Sequence, residues 1–297
     1  MIEGIFVDGL IYSLMVLGVF ITFRILDFPD LTVDGSFPLG AVVAAQCIVV
    51  FNSVGLGLLL SFAAGFCAGG VTALIHNKLK VPNLLAGILT MTMLYSINIR
   101  ILGNRANMPL LRHDTVITKV EGLFGGMLPY EYLVLVFFLL VVAAVVAMLD
   151  LFFHTDLGLT LGAMGNNEQM VISQGVNPET LKIIGVGLSN GLVALSGALA
   201  AQYQGFADIG MGTGIIVTGL ASVMIGEFIF SSNRIEVLTL CAVLGSVAFK
   251  AVMYLARYYG YHINMTPNDL KLITGLMIIV SLMISRSRTL RTKKARQ

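Results

Sequence analysis

Charge is what this sequence has least of. Only 11% of its 297 residues are Asp, Glu, Lys or Arg, and 57% are hydrophobic. A soluble domain carries roughly 25% charged residues, so this chain has too few charges to cover a water-facing surface. The deficit excludes an ordinary soluble globular protein and makes lipid the main solvent. It also excludes a nucleic-acid-binding protein, which needs a basic domain.

Cysteine and histidine are scarce as well, and tryptophan is absent. The three cysteines lie in apolar segments without a CxxC spacing, so we interpret them as small buried residues and not as disulfides or metal ligands. The four histidines are dispersed, and no Ser–His–Asp spacing, HExxH motif or Walker lysine occurs. We therefore expect no catalytic residues, no metal site and no cofactor bound by this chain. Any ATP-driven step needs another chain.

Long apolar segments make up most of what remains. A transmembrane helix needs about 20 such residues, and the segments do not alternate as transmembrane strands would. They predict an all-α, polytopic transmembrane helical bundle of about 8–10 spans, in which broken or re-entrant helices resemble short spans. The nine candidate spans are residues 5–26, 36–51, 56–76, 83–102, 131–153, 181–203, 212–230, 235–257 and 270–285.

Basic residues set the expected orientation, because Lys and Arg beside a span stay cytoplasmic. Six of the 18 Lys and Arg residues lie in the tail 286–297, which is therefore expected in the cytoplasm after a single transmembrane domain at 1–285. Counting back places Lys78 and the 154–182 loop on the same side. The 103–130 loop falls outside although it is also basic. On this count the N-terminus lies outside, unless an early segment is re-entrant.

Acidic residues and prolines cluster between the first two spans, in RILDFPDLTVDGSFPLGA at 24–41. The residue before a proline avoids the α region, so Pro29 predicts that the first helix ends near Asp27. Asp34 or Ser36 is expected to cap the next helix. A broken helix at membrane depth is tolerated only where it lines a cavity or is covered by protein.

Two interpretations of this segment stay open: an element that lines a transport pathway, or an interfacial turn with an Arg24–Asp27 pair. Isolated polar residues in other spans are further candidates, because ionisable and amide groups in lipid need partners. Glu227 could instead lie at the interface, and Lys250 could snorkel. The candidate pathway residues are Asp27, Asp30, Asp34, Ser36, Asn83, Asn98, Ser189 and Asn190.

Small residues recur at a spacing of four, which allows helices to approach closely in lipid. This pattern predicts a tightly packed bundle and no particular dimer. The pairs are Gly65 with Gly69, Gly187 with Gly191, and Gly197 with Ala201.

A polar, glycine-rich stretch interrupts the apolar segments at 156–182. Its amides and carboxylates would have no partners in hydrocarbon, so it must leave the membrane. We predict a short amphipathic helix from about Leu159 to Gln174, whose apolar side suits a cleft on a soluble partner. A connector that merely lies on the bundle is the alternative.

The run GLTLGAMGNNEQMVISQGV, followed by an apolar span and then by QYQGFADIGMGTGIIVTGLASVMIG, resembles the permease subunits of ATP-binding-cassette importers. The resemblance is to the branched-chain amino acid and ribose permease family. The segment DFPDLTVDGSFPLGA also resembles the part of that family that leads into its second span. The nearest branch is that of uncharacterised permeases which accompany tryptophan- or tyrosine-type binding proteins.

The resemblance implies a transporter and not an enzyme. Two copies would form a homodimeric pathway in the bacterial inner membrane for a small solute, an aromatic or branched-chain amino acid. A solute-binding protein would deliver the solute outside, and separate ATPase subunits would use ATP and Mg²⁺ to drive import. Coupling is assigned to the segment 155–178. Its coupling residues are Gly158, Gly162, Met164, Gly165, Asn166, Asn167, Glu168 and Gly175.

Other functions are open at this stage. An ion-coupled secondary transporter would show two matching halves with paired ionisable residues near the midplane, and no clear repeat is seen. A permease for a sugar or nucleoside would share the same family features. A membrane enzyme would need a catalytic set.

Overall fold

The computed structural model describes residues 2–124, 129–229, 234–260, 272–276 and 279. Two three-residue strands, β1 (Asn107–Pro109) and β2 (Phe206–Asp208), pair antiparallel, and Ile209–Gly212 forms a 3-10 turn. The helices are α1 (Ile2–Phe20), continued by a π-helical segment (Ile21–Ile25), α2 (Val33–Phe51), α3 (Val54–Leu79), α4 (Asn83–Ile101), α5 (Val116–Phe124), α6 (Tyr130–Phe153), α7 (Asp156–Asn166), α8 (Glu168–Ser173), α9 (Pro178–Gln204), α10 (Ile215–Ile229) and α11 (Ile235–Gly260).

Eight helical segments within these residues are long and apolar enough to cross a membrane. They begin with α1 and its π-helical continuation and end with α11, and they confirm an all-α polytopic bundle. The predicted ninth span, 270–285, and the tail 286–297 lie almost entirely outside the described residues.

The bundle has two distinct ends. At one, the end of α3 meets the start of α9 through Asn77 Nδ2, which donates to the Glu179 carbonyl at 3.1 Å. The end of α6 meets the start of α11 there, where Thr239 Oγ1 donates to Asp150 Oδ1 at 3.0 Å. Because α7 and α8 also lie here, we call it the α7 end. The opposite, strand end carries β1, β2 and the start of α1.

Helix α9 lies at the centre and packs against α1, α2 and α3. Its approach to α3 is set by glycines: a Cβ at Gly65 would collide with the Asn190 carbonyl, and one at Gly69 with the Val186 carbonyl. The close approach predicted from the small residues is confirmed at these positions. The α9 glycines Gly187, Gly191 and Gly197 lie likewise against Phe66, Phe62 and the Phe37 carbonyl.

The segment between α1 and α2 differs from the prediction in part. The π-helical segment runs to Ile25, so the first helix ends close to the expected position. However, α2 continues through Pro38 without a break, and its N-cap residue is Thr32, which makes no side-chain cap. A proline six residues into a helix removes only one backbone bond there. The prediction that Asp34 or Ser36 caps α2 is therefore wrong.

The expected single helix from Leu159 to Gln174 is also wrong, because two helices, α7 and α8, occupy this stretch. Asn167 has an extended backbone (φ −157°, ψ 98°), and its side-chain oxygen accepts the Met170 N–H at 3.2 Å. Asparagine side chains offer the backbone this alternative to a continuous helix. The break at Asn167 therefore separates α7 from α8.

Two adjacent glycines of α3 provide a matched test of the α3–α9 packing. We expect Gly69→Ala to lower stability by about 1–3 kcal/mol, because the added methyl collides with backbone. Gly70→Ala should leave stability unchanged or raise it by up to about 1 kcal/mol. In the part of the chain that the structure describes, only Ile183 Cγ2, 3.9 Å away, lies near its added Cβ. Thermal unfolding in detergent measures both. Equal melting temperatures for the two variants would contradict the packing described.

Candidate functional site

A buried carboxylate stands where α2, α3 and α9 meet. Asp30 is 3% exposed, and its Oδ1 accepts the Thr32 N–H at 2.8 Å in a local turn that leads into α2. Its Oδ2 accepts Asn190 Nδ2 of α9 at 2.6 Å, and Asn190 Oδ1 accepts Ser36 Oγ at 2.7 Å. Thr32 Oγ1 lies 2.7 Å from Thr72 Oγ1 of α3. We call these five residues the polar cluster.

The polar cluster is internally satisfied. Burial raises the pKa of the Asp30 carboxyl, while the hydrogen bonds from Thr32 and Asn190 act in the opposite direction. Buried charges are tolerated only where they are hydrogen-bonded in this way. The arrangement therefore ties α2, α3 and α9 together. Asp30 is buried and does not line a described cavity, so a solute does not reach it in this structure.

Asp34, in contrast, binds backbone N–H groups at the start of α10. Its Oδ2 accepts the Gly214 N–H at 3.0 Å and its Oδ1 accepts the Ile216 N–H at 2.9 Å. A carboxylate of α2 therefore caps the N-terminus of α10, although the two are 180 residues apart in sequence. This position suits an acid because a helix N-terminus presents unpaired N–H groups and a partial positive charge. Gly212, just before α10, lies against the Asp34 carbonyl.

Next to this cap is a cavity of about 250 Å³ between α2, α4 and the 3-10 turn, which we call the α2–α4 cavity. Asp34 stands at its wall, and the rest of the lining is mainly apolar. Met91, Tyr95 and Asn98 contribute from α4, where a spacing of four and then three residues puts them on one face. Pro38 and Ile209 contribute from α2 and the 3-10 turn.

The predicted pathway residues fall into three groups. Asp34 and Asn98 line the α2–α4 cavity, whereas Asp30, Ser36 and Asn190 belong to the polar cluster. The remaining three lie apart from both: Ser189 Oγ donates to the Gly18 carbonyl of α1 at 2.7 Å, Asn83 begins α4 at the α7 end, and Asp27 is exposed with a φ of 49°.

Two isolated charges have partners that sequence reasoning did not identify. Arg24 Nε lies 2.8 Å from Glu227 Oε1, so Arg24 pairs with the end of α10 and not with Asp27. Lys250 does not snorkel, since its Nζ lies 3.2 Å from the centre of the Tyr12 ring. The shared face of Met91 and Tyr95 was also missed, and only their spacing from Asn98 could have indicated it.

The residues predicted for coupling divide between two sides of α7 and α8. Three of them face the chain's own bundle: Gly158 lies against the backbone at Phe152 and Phe153, Gly165 lies against the Ile25 carbonyl, and Met164 is buried. By contrast, a Cβ at Gly162 would have no neighbour within 4 Å among the described residues. Thr155 caps α7 by accepting the Gly158 N–H at 3.3 Å.

The other predicted coupling residues shape α8. Asn167 caps it, Glu168 Oε1 lies 2.9 Å from Lys182 Nζ, and Gly175 follows it with a φ of 79°. Asn166 is exposed at the end of α7. Four apolar side chains on these two helices are 45–56% exposed, and we call them the α7–α8 surface: Leu157, Leu159, Met170 and Ile172.

Comparisons with known proteins agree with this architecture. Residues 1–282 match the family model of the branched-chain amino acid transport system permease component. The tyrosine transport system permease protein of Clostridioides difficile (strain R20291) is 42% identical over 281 residues, covering 95% of this chain and 90% of that protein. An uncharacterized protein of Rickettsia prowazekii (strain Madrid E) is 34% identical over 277 residues, 93% of this chain and 94% of the relative.

A more distant relative is the ribose import permease protein RbsC of Escherichia coli (strain K12). It is 26% identical over 197 residues, which cover 66% of this chain and 60% of that protein. No solved structure matches the chain.

Proposed function

This chain belongs to the family of permease components of branched-chain amino acid transport systems, and we propose that it carries an aromatic or branched-chain amino acid into the cell. It is a multi-pass membrane permease of an ATP-binding-cassette importer for amino acids. The observation that carries the choice of solute is the 42% identity to a tyrosine transport system permease over 95% of the chain. The likeness to a ribose permease is weaker and covers less of the chain.

The partners follow from this class of transporter. Two copies of the chain enclose the pathway, a solute-binding protein delivers the amino acid from outside, and ATPase subunits bind ATP and Mg²⁺. The chain itself holds no nucleotide and catalyses no reaction. Membership of the permease family supports this division of labour.

The α7 end faces the cytoplasm in this proposal, because ATPase subunits reach only that side. The eight described spans then leave Gly260 at the strand end, outside. One further crossing, expected at 270–285, brings the basic tail 286–297 back to the cytoplasm, in agreement with the positive-inside rule.

The α7–α8 surface is the part that docks into a cleft of the ATPase subunit. Its exposed apolar side chains lie at a water-facing end of the bundle, where apolar surface is unfavourable unless a partner covers it. Short helices that present such side chains to a groove are a common recognition mode. Gly162 keeps this surface open, since nothing in the described chain lies near it.

Two contacts would transmit a movement of α7 to α10, which begins at the α2–α4 cavity. Gly165 lies against the carbonyl of Ile25 in the π-helical segment, and the neighbouring Arg24 pairs with Glu227 at the end of α10. The other end of α10 is capped by Asp34, at the wall of the α2–α4 cavity. Isolated π-helical turns are frequent at functional sites, and this one links the coupling helix to α10.

Reconstitution tests the function. We expect proteoliposomes that contain this chain and its ATPase to accumulate labelled tyrosine only when ATP and the loaded binding protein are present. The loaded binding protein should also stimulate ATP hydrolysis. Uptake by the chain alone, driven by an ion gradient, would contradict the proposal and favour a secondary transporter. Failure of every amino acid, with uptake of a sugar instead, would contradict the solute class.

Substitutions at Gly162 and Gly165 distinguish docking to the ATPase from packing within the bundle. We expect Gly162→Phe to leave the melting temperature unchanged and to abolish stimulation of ATP hydrolysis, because the added ring fills the space that a partner should occupy. Gly165→Ala should lower the melting temperature, since its methyl collides with the Ile25 carbonyl. Stimulated hydrolysis in Gly162→Phe equal to that of the unaltered complex would refute the docking surface.

A charge exchange tests the link from α7 to α10. Arg24→Glu or Glu227→Arg should lower the number of solute molecules moved per ATP, and the double exchange should restore it. Stability should change little, because partly exposed ion pairs contribute about 0–1 kcal/mol. Lys78→Glu is the control, since its pair with Glu179 spans 3.9 Å at the same end without touching α10. Normal coupling in both single variants would argue against this link.

A further inference from the structure

We propose that the α2–α4 cavity binds the transported amino acid on its way through the bundle, and that it selects an apolar side chain carrying a hydrogen-bond donor. This assignment rests on the proposed function. The cavity's volume of about 250 Å³ suits one small solute, since pockets for larger, drug-sized ligands begin at roughly 300 Å³. The cavity lies beside the start of α10. This is the helix that the Gly165–Ile25 and Arg24–Glu227 contacts connect to α7.

The walls select an apolar side chain. Met91 and Tyr95 present a thioether and an aromatic ring from one face of α4, opposite Pro38 and Ile209. Methionine sulfur and aromatic rings make favourable contacts with apolar and aromatic groups. Tyr95 is 58% exposed, so its ring is not buried among the described helices of the chain.

The carboxylate of Asp34 suits the backbone ammonium group of an amino acid. Of the described residues that line the cavity, Asp34 alone is charged. Each of its oxygens accepts one N–H from the start of α10, and a carboxylate offers about four acceptor sites. The remaining capacity suits the ammonium group of an amino acid. The same negative charge repels an acidic side chain.

Asn98 supplies the second polar feature. The residue is fully buried, and its Nδ2 donates to the Gly35 carbonyl at 3.3 Å, which orients the amide. Its Oδ1 has no hydrogen-bond partner among the described residues. A buried acceptor without a partner is costly. The oxygen has almost no accessible surface in this structure, so a donor on the solute would satisfy it once the neighbouring lining side chains move aside. Tyrosine carries such a donor on its phenol ring, whereas phenylalanine does not.

Cysteine protection in the assembled permease–ATPase complex tests the site without relying on transport. Thr92 lines the cavity, and Met93 on the next face of α4 is exposed outside it. In a Cys67→Ser background, which removes the exposed native cysteine, we expect tyrosine to slow maleimide labelling of Thr92→Cys about tenfold. Glutamate should not slow it, and Met93→Cys should label equally fast with either amino acid.

Further substitutions examine the individual contacts. Met91→Ala or Tyr95→Ala should abolish the protection of Thr92→Cys, and the half-protecting concentration should be about tenfold lower for tyrosine than for phenylalanine. Asn98→Leu should remove that difference while apolar amino acids still protect. Loss of protection with an unchanged melting temperature supports binding, because misfolding would lower that temperature.

Failure has distinguishable forms. If the unaltered complex transports tyrosine but tyrosine never protects Thr92→Cys, the site assignment is wrong and the proposed function stands. Protection by glutamate equal to that by tyrosine would overturn the selection of an apolar side chain. If the unaltered complex transports no amino acid, the proposed function and this site both fall.

Discussion

The buried carboxylate of Asp30 is the constraint on which the rest of the bundle depends. A carboxyl group so far from water must find hydrogen-bond donors within the protein, and it finds them in the Thr32 backbone and the Asn190 amide. These bonds set where α2 begins and which turn of α9 faces it. The glycines of α3 then allow α9 to come close enough for Asn190 to reach the carboxylate.

Helix α10 is the element that this framework positions for function. It is held at its start by Asp34 and near its end by Arg24, and neither contact belongs to a neighbouring segment of the chain. The first contact lies at the cavity and the second lies beside the helix that is proposed to meet the ATPase. A helix contacted at both of its ends can transmit a displacement from one end to the other, and rigid-body movements of packed elements underlie alternating access in transporters.

Several features could be predicted from residue patterns and others could not. The spans follow from apolar length, and close helix packing follows from the spacing of Gly65 and Gly69, whereas the structure alone shows that the partner of α3 is α9. Asp34 and Asn98 stood out as polar residues in apolar runs. Met91 and Tyr95 did not, because apolar side chains in an apolar helix carry no signal of which face meets a cavity. The break at Asn167 was missed because a side-chain cap competes with helix over a few residues only.

Composition alone determined that this chain lies in lipid as a bundle of helices, since in hydrocarbon every backbone polar group must be paired within its own segment. Only the tertiary structure decided which partners the remaining polar groups take. Asp34 or Ser36 was expected to cap α2, whereas Asp34 caps α10, 180 residues away. The physical reason is that local pattern governs bonds within a segment, whereas side-chain partners between segments depend on how the helices pack.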